Sequence, residues 1–296
     1  MKEDSEILEG LKFVNSISND AIIKNKYIIA NINNITCYHP IDIDIDGIID
    51  IKSAILVLKK IKGDLSITKS NYNTLMTNKE ITVDIGSSFE FEEIRNVIPG
   101  PNITLDLYEI CKLYKNLLKS AKEYPCLYFK NNKVVGTNNK ILLEYWLSKE
   151  IPEFNMHYNL VKAINKIKSN PNIINICKDG LLLNYDKGVI YESTEFIELH
   201  NYDKIITAIN YIPTEDLNDK IKSILPFNDG YVIFKENKIF SGKASITHNI
   251  NYPFMKIPAK EMEYFIKYAK YYEPGYDLRF CGGNIRGVIV SLREGE

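Results

Sequence analysis

One block of apolar and polar positions recurs three times along the chain. Near the front, Ile22 and Ile23 lead through Lys24, Asn25 and Lys26 into Tyr27, Ile28 and Ile29. In the middle, Phe129 leads through Lys130, Asn131, Asn132 and Lys133 into Val134 and Val135, and near the end Phe234 leads through Lys235, Glu236, Asn237 and Lys238 into Ile239 and Phe240. An apolar run, a tight polar stretch and a second apolar run predict a β-hairpin at each place. The copies start roughly 105 residues apart, beyond solenoid periods and close to the size of a domain. The pattern therefore predicts three copies of one domain, spanning residues 1–98, 99–195 and 196–296.

The same elements surround each block. In the first third, Ile7, Leu8, Leu11, Val14 and Ile17 fall at helical spacing and predict a helix over 5–17. Ile41, Ile43 and Ile45 alternate with Asp42, Asp44 and Asp46, which predicts a strand with an acidic outer face. A helix is expected from Ile51 to Lys62, stopped by Gly63, followed by strands over 65–68, 73–77 and 80–85. The middle third repeats the order, with helices over 106–124 and 158–168 and strands over 173–177, 181–185 and 189–193. The last third has helices over 217–225 and 258–272 and a closing hairpin turned by Gly282, Gly283 and Asn284. The fold class read from this is α+β, each domain made of two helices packed on antiparallel sheets.

Composition narrows the functions. No apolar run approaches the ~18 residues of a membrane helix, and the acidic opening from Met1 to Asp4 argues against a secretory signal, so a cytoplasmic protein is expected. Cys37, Cys111, Cys126, Cys177 and Cys281 are scattered without a C-x-x-C pair, which predicts reduced thiols and no metal site. The formal net charge is −1, so any attraction to nucleic acid must be local. Nucleophile-elbow, phosphate-loop and zinc-protease motifs are absent, and His39, His157, His200 and His248 stand in separate regions, so no catalytic residue and no cofactor is expected. Asp42 to Asp50 matches the front of a calcium loop, with Gly47 in place, but Ser53 stands where the bidentate Glu belongs. The acids read more simply as an edge that discourages unwanted pairing.

Further stretches carry a resemblance to a known family. The run Val135-Gly136-Thr137-Asn138-Asn139-Lys140-Ile141-Leu142 lies where the three-domain bacterial beta-type DNA polymerase sliding clamps have V-A-T-D-G-H-R-L, with Thr137 and Leu142 kept. The stretch F-E-F-E-E-I-R-N-V-I-P, ending at Pro99, resembles that family's interdomain segment. Asn251 to Lys267 resembles its helix entry, and Gly287 to Leu292 takes the place of its terminal strand. The chain is shorter than the bacterial type, as a phage or plasmid version would be, in which case the compartment is the host cytoplasm. The resemblance implies a ring, a homodimer of six domains encircling duplex DNA without sequence preference. It also implies a DNA polymerase and a clamp loader as partners, docking through a short apolar peptide between the second and third domains.

Lysines on the predicted helices supply the wall that such a ring needs. They are Lys59, Lys60 and Lys62; Lys112, Lys115 and Lys119; Lys162, Lys166 and Lys168; Lys220 and Lys222; and Lys267 and Lys270. The resemblance places the peptide pocket at Thr137, Asn139, Lys140, Ile141 and Leu142, joined by Pro213 and by Val288, Val290, Ser291 and Leu292. Ile141 and Leu142 continue an apolar strand past its polar turn, and Val288, Val290 and Leu292 alternate along a terminal strand, a pattern that sheet core would share. Two other readings are a monomeric, non-encircling DNA-binding processivity scaffold and a metal-dependent nucleic-acid enzyme using Asp42 to Asp50.

Overall fold

The computed structural model describes residues 2–43, 45–61, 66–70, 73–78, 80–87, 97–122, 125–194, 197, 199, 202–208 and 210–293, with 2–5 by backbone alone. Asp44, Lys62, Gly63 and positions 88–96, most of the interdomain-like stretch, lie outside the described residues. The first third holds α1 (Lys2–Val14), β1 (Asp20–Lys24), β2 (Tyr27–Ile32), β3 (Ile35–Pro40), β4 (Gly47–Asp50), α2 (Ile51–Lys60), β5 (Ser66–Ser70), β6 (Asn73–Thr77) and β7 (Thr82–Asp84). The middle third holds β8 (Asn102–Ile103), α3 (Leu107–Lys119), β9 (Cys126–Thr137), β10 (Ile141–His157), α4 (Tyr158–Ile167), β11 (Ile173–Cys177), β12 (Gly180–Tyr185) and β13 (Gly188–Ser193). The last third holds α5 (Tyr202–Ile206), β14 (Ile212–Pro213), α6 (Leu217–Ile224), a 3-10 turn (Leu225–Phe227), β15 (Tyr231–Ser241), β16 (Ala244–Pro258), α7 (Ala259–Tyr268), β17 (Tyr271–Pro274), β18 (Leu278–Gly282) and β19 (Ile285–Ile289).

Only the first of the three recurring blocks is a hairpin turn. Asn25 and Lys26 both take left-handed backbone, at φ 51° and 62°, and β1 reverses directly into β2 with Lys24 opposite Tyr27. In the second and third blocks one residue alone is left-handed, Asn131 at 55° and Glu236 at 54°, and the strand runs on through it. At Asn25 and Lys26 the two left-handed residues make a two-residue reversal, whereas Glu236 only bulges its strand, and the β15–β16 ladder shifts register on both sides of it. The true reversals come later, at Asn139 (68°) and Gly242 (56°), and Asn33 (52°) occupies the corresponding place in the first third. Left-handed residues thus recur at 25, 131 and 236 and again at 33, 139 and 242. Gly242 is required sterically, since a Cβ there would lie 2.0 Å from the Phe227 carbonyl oxygen.

Three further expectations change. Residues 41–43, 45 and 46 form no strand; the strand is β3, whose Ile35, Cys37 and His39 point inward, and Pro40 with the Lys26–Asp42 ion pair closes it off. Helix α3 stops at Lys119 rather than near Tyr124, because the Ser120 hydroxyl turns back onto the Leu117 carbonyl at 2.8 Å. Tyr271 and Tyr272 belong to β17 and not to α7.

The described chain divides into two compact units. The first comprises Met1–Lys115 and Met156–Phe196. Its main sheet is antiparallel throughout, in the order β4-β1-β2-β3-β13-β12-β11-β8, and β3 joins β13 with Ile35 opposite Glu192 and Tyr38 opposite Val189. Helix α1 packs on β2, β3 and α2, burying Leu11, Phe13 and Val14. Asp50 caps α2, its carboxylate accepting from Lys52 N at 2.8 Å and from the Ser53 hydroxyl at 2.9 Å. A small sheet, β5-β6-β7, completes the unit.

The second unit comprises Asn116–Asn155 and Ile197–Glu296. Its sheet runs β14-β17-β18-β19-β10-β9, and the long hairpin β15-β16 packs with α6 and α7. The Phe265 ring of α7 meets Phe280 and Tyr272 edge-on at 5.7 and 5.9 Å between centroids. Gly287 on β19 lets Phe280 lie across the sheet beside Leu143. The compact units therefore follow the sheets and not the sequence repeat, because each large sheet draws strands from two successive thirds.

Candidate functional site

Helical faces carry the lysines that the sequence singled out. In the first unit Lys59 and Lys60 are exposed in the last turn of α2, Lys112 and Lys115 on α3, and Lys162 and Lys166 on α4, while Lys168 is the exposed left-handed cap that ends α4. Lys112 is paired with Glu109 at 3.2 Å. Partial burial, and then the like charges of Lys162 and Lys52, hold the Lys166 ammonium below its ordinary value. Lys52, Lys162 and Lys166 thus form one cationic cluster drawn from α2 and α4. The sequence reading missed Lys52; its one signal is a cation in the first turn of a helix, where the dipole disfavours it.

In the second unit the lysines differ in character. Lys220 is paired with Asp216 at 2.6 Å and Lys222 with Asp219 at 3.0 Å, so α6 displays little unbalanced charge. Both pairs are legible as acids three and four residues before the lysines. Lys119 and Lys270 are exposed, and Lys267 lies over the Tyr268 ring at 4.8 Å. Lys62 is outside the described residues.

The residues that the resemblance assigns to a peptide pocket converge in part. Ile141 pairs with Ile289 and Leu142 with Val288 across the β10–β19 ladder, and Val290 N donates to the Lys140 carbonyl at 2.8 Å. Successive strand residues face opposite ways, so Ile141 and Leu142 serve different layers. Leu142 and Val288 join Cys126, Tyr128 and Val135 beneath Tyr202 and Ile206 of α5 in one buried cluster. Thr137, Ser291 and Leu292 are half-buried, while Asn139, Lys140 and Val290 are exposed. The tail leaves β10 after Val290. Leu292 N donates to the Lys256 carbonyl at 3.0 Å and Lys256 N to the Ser291 hydroxyl at 3.0 Å, which ties the end to β16. Pro213 is not brought to this group. It sits on β14, the far edge of the sheet, three strand spacings or roughly 14 Å from β19.

Solved structures resemble the whole chain. The Helicobacter pylori beta clamp bound to a DNA ligase peptide matches with a TM-score of 0.74 at 12% identity, covering 98% of this chain and 99% of that one. DNA polymerase III subunit beta from Pseudomonas aeruginosa matches with a TM-score of 0.75 at 9% identity, covering 98% of both chains. The beta subunit from Thermotoga maritima matches at 0.73 and 10%, covering 99% of this chain and 98% of its own. The chain has the sliding-clamp fold. No protein-family model and no curated protein matches it by sequence.

Several residues around the Leu142–Val288 pair were not singled out by the sequence. Asn138 is buried at the β9–β10 turn; its carbonyl accepts from Lys140 N and Ile141 N at 3.0 and 2.9 Å, and its amide reaches the Ser120 hydroxyl at 2.8 Å and Glu261 of α7 at 3.3 Å. Glu144, two positions beyond Leu142 on the same face, is fully buried and paired with Arg286 at 2.6 Å and Lys133 at 3.5 Å. The same two cations reach Asp203 of α5 at 3.5 and 3.2 Å. Trp146 Nε1 also donates to Glu144, and its ring lies 5.1 Å from the Lys133 ammonium and 5.4 Å from the Arg286 guanidinium. Helix α5 has one sequence trace, Tyr202 and Ile206 at i, i+4.

As for the acids of the calcium-like stretch, Asp42 is spent on Lys26 and Asp50 on the cap of α2. Among the described residues no three His, Cys, Asp or Glu side chains gather as a metal site.

Proposed function

We infer that this protein is a DNA polymerase sliding clamp, a binding protein that tethers a polymerase to duplex DNA. The carrying observation is the clamp fold matched over 98 to 99% of the chain by structures that are themselves covered at 98% or more. Three domains, 1–98, 99–195 and 196–296, repeat one pattern, and two copies joined head to tail close a six-domain ring in the cytoplasm. The helices, with Lys52, Lys162 and Lys166 foremost, face the duplex and hold it by charge without reading bases. The Leu142–Val288 face of the second unit, with Asn139, Lys140 and Val290 at its rim, receives a short apolar peptide from the polymerase and the clamp loader. A DNA ligase peptide on the Helicobacter pylori clamp is the parallel that supports this assignment.

Retention on DNA of different topology tests the reading. The protein, loaded onto a nicked circular plasmid, is expected to stay through gel filtration and to slide off once the plasmid is cut. Mass measurement at micromolar concentration is expected to give the dimer. Equal retention on linear and circular DNA by a strict monomer would refute the ring.

A further inference from the structure

We propose that α5 is a latch, closed by ion pairs over the apolar cluster of the second unit, and that it opens to a peptide presenting a carboxylate between apolar anchors. The inference rests on the partner-site reading above and concerns how that site is regulated and what chemistry it selects.

The cluster on which a partner would dock is covered within the chain itself. Tyr202 and Ile206 sit against Leu142, Val288 and Val135, and all five are buried. The cover is a single five-residue helix, too short to be stable alone. Polar contacts hold it in addition to its two buried side chains, Tyr202 and Ile206. Asp203, whose side chain is 63% exposed, is gripped by Lys133 at 3.2 Å and Arg286 at 3.5 Å, and Arg279 Nε donates to the Ile205 carbonyl at 2.8 Å. Lys133 also lies over the Tyr202 ring at 6.0 Å. Glu144, beneath, fixes both cations, so the charged seat is built into the sheet and would survive departure of the helix. An aromatic anchor, an adjacent carboxylate and an aliphatic anchor four positions from the first are what this seat accepts in cis. A partner offering the same groups in trans replaces them one for one, and its carboxylate inherits Lys133 and Arg286.

Because the helix is tethered, it competes at an effective concentration on the order of millimolar and masks the site from a micromolar peptide. Exposed ion pairs are individually weak, so breaking those of Asp203 shifts the balance modestly, by about three- to tenfold in apparent affinity.

The probe is a labelled peptide of residues 199–207 of this chain, titrated by anisotropy into the full-length protein. Binding is expected to be weak to the unaltered chain and about three- to tenfold tighter to Asp203→Asn. A peptide with the acid replaced by Asn is expected to lose that gain. Trp146, the chain's one tryptophan, lies beside both cations and reports displacement by a change in emission. Equal binding to both chains, with Trp146 emission unchanged by the substitution, overturns the latch while leaving the partner site in place. No binding to either chain at millimolar peptide overturns the partner site, and the latch with it.

Discussion

Glu192 makes folding stability depend on pH in an unusual sense. Its carboxyl is wholly buried on β13, where it accepts the His157 N–H at 3.1 Å, and burial pushes its pKa from 4.5 up to about 8. The folded chain therefore keeps a proton that the unfolded chain gives up above roughly pH 4.5. A raised acid pKa contributes stability at low pH that is lost as pH rises, here between about 4.5 and 8, at ~1.36 kcal/mol per pH unit for one proton. From pH 5 to pH 7.5 the contribution is about 3 kcal/mol, or roughly 6 to 12 °C in midpoint for a domain of this size. His157, held low by burial, acts in the opposite sense at acid pH, because it must charge on unfolding. Comparison with Glu192→Gln cancels that contribution, since Gln keeps the shape and the acceptor without the proton. Thermal unfolding of both proteins, followed by circular dichroism from pH 5 to 8.5, is expected to show curves that diverge with pH, the variant gaining on the parent. Parallel curves across the range would refute the reasoning.

Replacing Lys52, Lys162 and Lys166 together by Glu is expected to abolish DNA retention and to lower the salt slope of binding by up to ~3, from about 0.9 per phosphate contact, while Lys220→Ala with Lys222→Ala changes little. A salt titration of retention distinguishes the two sets. Gly242→Ala is expected to cost about 2–4 kcal/mol, since the left-handed backbone and the Phe227 carbonyl both oppose a Cβ, whereas Gly283→Ala, at the same φ in open space, costs about 1. Chemical denaturation of the two variants measures the difference. Asn138→Ala leaves the Lys140 and Ile141 N–H groups without an acceptor and is expected to destabilise by about 1–3 kcal/mol, with hydrogen exchange quickening first at the Ile141 amide.

The six longer helices were legible because 3.6-residue periodicity is local and each buries one face. The strands β11, β12 and β13 of the middle third were legible because short apolar runs bounded by turn residues are equally local. What Asn131 and Glu236 do was not legible. A polar stretch between apolar runs is written alike whether one residue or two go left-handed, and pairing partners distant in sequence decide which. In the first third β1 pairs with both β2 and β4, so the stretch must turn; in the others it lies within one long strand. Of the proposed peptide site, the adjacency of Leu142 and Val288 followed from two apolar strands. Glu144 and Arg286 escaped notice because a buried ion pair between residues 142 positions apart has no sequence period, and Lys133 was visible only as part of the recurring block. Helix α5 escaped because five residues are too few for one.

The sharing of sheets between repeats bears on how this chain can be taken apart. The natural neighbour of β13 is β3 in the first third, and that of β10 is β19 in the last. Cutting between repeats at 98/99 and 195/196 would leave the middle piece with two bare ladders of N–H and C=O groups, open to any passing strand. Fragments intended to stay soluble must instead be drawn along the sheets, each assembled from two separate stretches of the chain.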